Sequence, residues 1–127
     1  MRVLQVCPTS GPGGAESIVL SLSGALAGSG VEVVAASSGR ESYLYEKLGA
    51  LGVPTVQLKS TRIRSLAGEI GELAKCYQPD IIHSHLWDAN LPAALAGFTR
   101  RLPVVLTVHS TVYDLESLKR RVVYALL

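Results

Sequence analysis

Three histidines, His83, His85 and His109, and one glycine-dense loop, Pro8 to Gly14, carry the residue types in this chain with which chemistry can be done. Imidazoles take up, release and share protons near neutral pH. A glycine loop running straight into a helix presents backbone amides, and Gly13 and Gly14 in "GPGGAE" would let that backbone approach a phosphate or a sugar hydroxyl. The same glycines also suit a chain that only has to turn, so the loop alone leaves both readings open. It does not match the common nucleotide-binding loops. A P-loop needs Lys and then Ser or Thr after its last glycine, whereas Ala15 and Glu16 follow Gly14. The dinucleotide fingerprint is met at Gly11 and Gly13 but fails at Glu16. The second apolar run then ends in "AASSGR", where Arg40 suits only a 2′-phosphate, which leaves an NADP site as a minor alternative.

His83 and His85 lie two positions apart in "HSHLWDAN" and in an extended chain point to the same side. His83, nearer the apolar run, reads as a hydrogen-bonded core residue. His85 and His109 read as residues of a ligand crevice. Zinc explains them poorly, because nothing announces an open site with a hydrogen-bonded second shell, and no metal is expected. Trp87 is either the apolar wall of a sugar site or ordinary packing, and Asp88 and Asn90 are N-cap candidates for the helix that follows. "LKSTRIRS" gathers Lys59, Arg62 and Arg64, as a solvated basic loop or as a contact for an anionic acceptor or an acidic lipid head group.

Five apolar or β-branched runs have strand length: Val3 to Cys7, Val31 to Ala36, Pro54 to Leu58, Asp80 to His83 and Val104 to Val108. Between them the spacing predicts helices. The first carries Ile18, Leu22 and Leu26 on one face and closes at Gly28 and Gly30; a second runs from Ser42 to Leu51 and ends at Gly52. A third carries Leu66, Ile70, Leu73 and Tyr77 and stops before Pro79. A fourth carries Leu91, Leu95 and Phe98, with Pro92 in its first turn. Continuous apolar strands alternating with helices indicate right-handed βαβ crossovers. The expected fold is α/β, a Rossmann-like doubly wound parallel sheet of order 3-2-1-4-5 with helices on both faces. Its ligand crevice lies at the carboxyl ends of strands one and four, where the winding reverses. The glycine loop and "HSHLWDAN" should meet there, with the loop after strand five beside them.

Composition narrows the classes further. Hydrophobic residues make up 48% of the 127, enough for the core of one domain, and charged residues only 17%, below the roughly 25% usual for soluble domains. A missing partner domain would account for that shortfall. The net charge of +2 with dispersed basic residues gives no nucleic-acid footprint. Cys7 and Cys76 stand apart without metal-ligand spacing, and read as reduced, buried small hydrophobes of a cytoplasmic protein. No run reaches the length of a membrane span, and the apolar run at the N-terminus is too short for a secretory signal. Leu115, Leu118, Val122 and Leu126 share one helical face, and the sequence stops at Leu127 with neither a capping glycine nor a further strand, as a truncated last helix would.

Taken in order, "GPGGAE", "PDIIHSHLWDANLPAALAG" and "PVVLTVHS" resemble the N-terminal domain of family 4 glycosyltransferases of GT-B fold, and the resemblance covers essentially residues 1–127. It implies one half of a GT-B fold and transfer of a sugar from a nucleotide-activated donor with retention, without a metal or other cofactor. By that resemblance Gly13 and Gly14 approach the donor phosphates or sugar, His109 lines the reaction centre, and His85 matches the second histidine of the family's His-x-His segment. The domain would be the acceptor side, with Arg62, Arg64 and Trp87 as acceptor contacts, and inactive alone because the C-terminal nucleotide-binding domain is absent. The implied partners are a nucleotide sugar, that missing domain, and an anionic or lipid-linked acceptor with peripheral contact to the inner membrane face. An NADP-binding oxidoreductase domain and a non-catalytic binding module are the alternatives.

Overall fold

The computed structural model describes residues 1–109, so the expected last helix lies outside the described residues. Strands β1 (Arg2–Cys7), β2 (Glu32–Ser37), β3 (Thr55–Gln57), β4 (Ile81–His85) and β5 (Val104–Thr107) alternate with helices α1 (Gly14–Gly28), α2 (Tyr43–Ala50), α3 (Ile63–Tyr77) and α4 (Trp87–Arg100). All strand pairs are parallel, in the order β3-β2-β1-β4-β5, as the alternation of apolar runs and helical segments predicts. Strand β4 continues to His85, two residues beyond its expected end, which brings both histidines into the ladder.

Because successive side chains point to opposite faces of the sheet, two cores form. Leu4 and Val6 of β1 join Val34, Ala36 and Ile82 beneath Leu66 and Ile70 of α3 and Ala89, Ala93 and Ala96 of α4. On the other face Cys7, Val33 and Ala35 pack with Val19 of α1 and Leu44 and Leu48 of α2. Gly30, at φ 83°, closes α1 in the left-handed conformation that glycine adopts without strain.

Two helices turn a different stripe inward from the one their large apolar residues suggest. Helix α1 buries Ala15, Glu16, Val19 and Ser23, whereas Ile18 is 48% exposed. Helix α4 buries Ala89, Ala93, Ala96 and Gly97, while Leu95 and Phe98 are 42% and 85% exposed. Close approach explains the choice. A Cβ at Gly97 would collide with the Val104 side chain and crowd the Leu102 carbonyl, so α4 lies against β5 at a distance only small residues allow. Helix α4 also starts earlier than expected: Leu86 is its N-cap, so Asp88 and Asn90 are helical rather than capping and Pro92 is interior rather than in the first turn. Cys7 is buried, and burial pushes its thiol up, but Cys76 is exposed on α3, contrary to the expectation that both are core residues.

Candidate functional site

At the carboxyl edge of the sheet the glycine loop follows β1, His83 and His85 lie in the last three residues of β4, and His109 follows β5. Residues of β1 and β4 are paired in register, Gln5 opposite His83 and Val6 opposite Ser84, while His85 pairs with Thr107 of β5. Alternation then sends His83 and His85 to one face of the sheet and Ser84 to the other.

Each side chain has a partner on a neighbouring element. Ser84 Oγ donates to Asn90 Oδ1 at 2.6 Å, and Asn90 Nδ2 donates to the Thr107 carbonyl at 3.2 Å, which ties α4 to both strands. His83 Nε2 lies 2.7 Å from Thr107 Oγ1, so it is hydrogen-bonded as its position suggested, but half-buried rather than a core residue. His85 Nε2 lies 2.7 Å from Gln5 Oε1, and its Nδ1 lies 3.1 Å from His109 Nε2. The rings are close as well, with centroids 4.3 Å apart for His83 and His85 and 5.3 Å for His85 and His109. The three histidines therefore form one cluster, held in place by Gln5 and Thr107, neither singled out from the sequence, and by Asn90, expected only as a helix cap. A polar residue inside the apolar run of β1 was the one available signal for Gln5.

Burial separates roles that sequence spacing could not. His85, expected at the crevice, is fully buried, and His109 at the edge is half-buried. Burial first, then the neighbouring His83 and His109, lowers the His85 pKa from 6.5 to about 3, so its ring is neutral at physiological pH. Burial and His109 lower that of His83 as well. Both nitrogens of His85 are taken by Gln5 and His109, and among the described residues no group of His, Cys, Asp or Glu is arranged to hold a metal.

The turn beside this cluster is abrupt. Leu86 alone separates β4 from α4, at φ 67° and ψ 154°, a conformation nearly confined to glycine and costing a leucine about 1–3 kcal/mol. Its amide donates to the Thr107 carbonyl at 3.2 Å, and its carbonyl accepts from Asn90 N at 3.0 Å. Trp87, half-buried, begins α4 two residues after His85.

In the glycine loop Gly13 is the N-cap of α1 in an extended conformation any residue adopts, and a Cβ at Gly14 would meet nothing within 4 Å. Neither backbone conformation nor packing thus requires glycine at position 14. The Glu16 carboxylate lies against Gly13, in a residue that is 6% exposed. Arg62 and Arg64 are exposed at the start of α3, which follows β3. The structure does not bring them to the histidines, since β3 and β5 are opposite edges of the sheet, on the order of 19 Å apart. Glu69 fixes their loop by accepting from the Lys59 and Ser60 amides at 2.7 Å each.

Residues 12–127 match the family model Glycosyltransferase Family 4. Over 64 residues the chain is 38% identical to glycogen synthase 1 of Bradyrhizobium diazoefficiens, a stretch that is 48% of this chain and 14% of that protein. Two similar solved structures share its fold. A glycosyltransferase of Rickettsia africae superposes with a TM-score of 0.78 at 23% identity, over 94% of this chain and 32% of its own. The Anabaena HepE protein, solved with UDP-glucose, superposes with a TM-score of 0.76 at 18% identity, over 91% of this chain and 31% of its own. The chain thus spans about a third of the length of these structures.

Proposed function

This chain belongs to Glycosyltransferase Family 4, and on that premise we propose that it takes part in transfer of a sugar from a nucleotide-activated donor to an acceptor, with retention at the anomeric carbon. The family match over residues 12–127 carries the proposal, and the histidine cluster at the switch point of the sheet supports a site there. In it, this chain is the acceptor-side domain, and the nucleotide pocket belongs to a second domain without which no transfer occurs.

The reaction builds charge on a departing nucleotide diphosphate and on an oxocarbenium-like sugar. Gly13 and Gly14 bring backbone to the donor. Glu16 refines their role: an almost buried carboxylate against Gly13 repels phosphate but accepts hydrogen bonds from hydroxyls, so the loop recognises the sugar. His109 lines the reaction centre, and His85, sealed beneath it, acts through it. Trp87 walls the acceptor site, and Arg62 and Arg64 hold the far, anionic end of a long or lipid-linked acceptor. Neither metal nor other cofactor enters the proposal. In this proposal transfer takes place in the cytoplasm, against the inner membrane face for a lipid-linked acceptor; separately, among the described residues no helix is long and apolar enough to cross a membrane.

The oxidoreductase alternative is disfavoured by packing. Gly39, beside Arg40, lies so tightly on Ser10 of the glycine loop that a Cβ would clash with its backbone and side chain, so the end of β2 is packed directly against that loop. The test is His109→Ala in the complete protein, assayed with UDP-glucose first among donors. A fall in kcat of about 10²-fold or more is expected. Undiminished transfer would remove His109 from the reaction centre and favour a non-catalytic binding module.

A further inference from the structure

We infer that Gln5 is a positioning residue: its amide oxygen fixes which ring nitrogen of His85 carries the proton, and thereby which nitrogen of His109 is left free for a ligand. The inference rests on the proposed place of His109 at the reaction centre, but its first consequence is a property of the protein without substrate.

A carbonyl oxygen only accepts, and Gln5 Oε1 lies 2.7 Å from His85 Nε2, so that nitrogen carries a hydrogen. The ring is fully buried and neutral, so it has one proton to place. Its Nδ1 is therefore a bare lone pair, and His109 Nε2, 3.1 Å away, must donate to it. What remains on His109 is Nδ1, the ring nitrogen not engaged by His85. With Nε2 donating to His85, the Nδ1 of this half-buried ring is an acceptor for a ligand hydroxyl.

The groups that face His85 reinforce the direction. Gln5 comes from β1, His83 from its own strand, Thr107 from β5 through His83, and His109 from beyond β5; among the described residues no carboxylate contributes to the shift of its proton affinity. Without Gln5, nothing in this set prefers Nε2–H over Nδ1–H. Gln5 is also an expensive residue where it stands, wholly buried in the middle of a central strand, with its Nε2 lacking a partner among the described residues. An apolar residue would serve the sheet at least as well, so the amide oxygen is the part that matters.

The experiment is 15N-histidine labelling of the full encoded chain, with long-range proton–nitrogen correlation to read the tautomers and single histidine substitutions to assign them. Nε2–H is expected on both His85 and His109 in the parent protein. Gln5→Leu should turn His85 to Nδ1–H or a mixture of tautomers, lower kcat about 10²-fold through misdirection of His109, and shift the pH profile of transfer. Gln5→Glu keeps an accepting oxygen and should keep Nε2–H on His85. Nδ1–H on His85 in the parent protein overturns the inference without any variant, and unchanged tautomers in Gln5→Leu overturn it as well. If the tautomers shift as expected and transfer is unaffected, the positioning of His109 stands and its place at the reaction centre falls.

Discussion

His85 gives up its charge to be where it is, and that has a consequence for stability as well as for proton placement. In the unfolded chain its imidazole titrates near the usual 6.5, whereas in the folded protein burial holds it at about 3. Between those values the unfolded state binds a proton that the native state refuses. Stability is therefore complete above about pH 6.5 and falls as pH drops toward 3, by at most about 1.4 kcal/mol per unit for one such group. His83 acts in the same direction, lowered by burial and by His109. Urea denaturation at about pH 7.5 and about pH 5 should give clearly lower stability at the acid value. His85→Gln should flatten that dependence; an equal slope in the variant would show that other groups govern it. The glycine loop and the histidines could be picked out in the sequence because their residue types are unusual at strand ends. The burial of His85 could not, because two histidines two apart look alike until the depth of each is known.

At the scale of elements, the helices show why apolar periodicity was a partial guide. Helices α1 and α4 are apolar on more than one side, and the larger side chains of Ile18, Leu95 and Phe98 lie outside while alanine and glycine lie inside. Size predicts burial when a helix stands off the sheet, but contact as close as that of Gly97 on Val104 selects small residues instead. Helix α3, with its single amphipathic face, was legible: Leu66 and Ile70 are buried as their spacing indicates. The start of α1 yields a prediction that separates ligand from fold. Gly14 is the first residue of that helix, and the protein leaves open space around it. Gly14→Ala should leave stability unchanged or raise it by up to about 1 kcal/mol, because alanine loses less backbone entropy on folding. If a donor sugar approaches the backbone there, the same variant should raise the donor KM. Thermal melts and donor titrations read the two effects separately, and a normal KM would reduce the loop to a turn.

Across the whole molecule, one face of the sheet carries the histidine cluster at the carboxyl ends of β4 and β5, while the basic loop follows β3 at the opposite edge. A loop at that remove can raise affinity for the far end of an acceptor without entering the chemistry. Replacing Arg62 and Arg64 together by alanine should raise KM for an anionic acceptor several-fold, as lost charge-assisted contacts would, with little change in kcat. Arg40→Ala should alter neither constant. Steady-state kinetics with varied acceptor decide it, and a fall in kcat with acceptor KM unmoved would place the basic loop at the reaction centre. The sequence by itself determined the order of elements, the parallel sheet of order 3-2-1-4-5 and the strand ends at which the unusual residues gather. It could do so because strand length, glycine and proline punctuation and the right-handed crossover are local rules that compound into one topology. Only the tertiary structure decided which stripe of α1 and α4 faces inward, how deep His85 lies and that Gln5 is its partner. Those depend on how closely two surfaces meet and on a hydrogen bond between side chains 80 residues apart, which no spacing along the chain encodes.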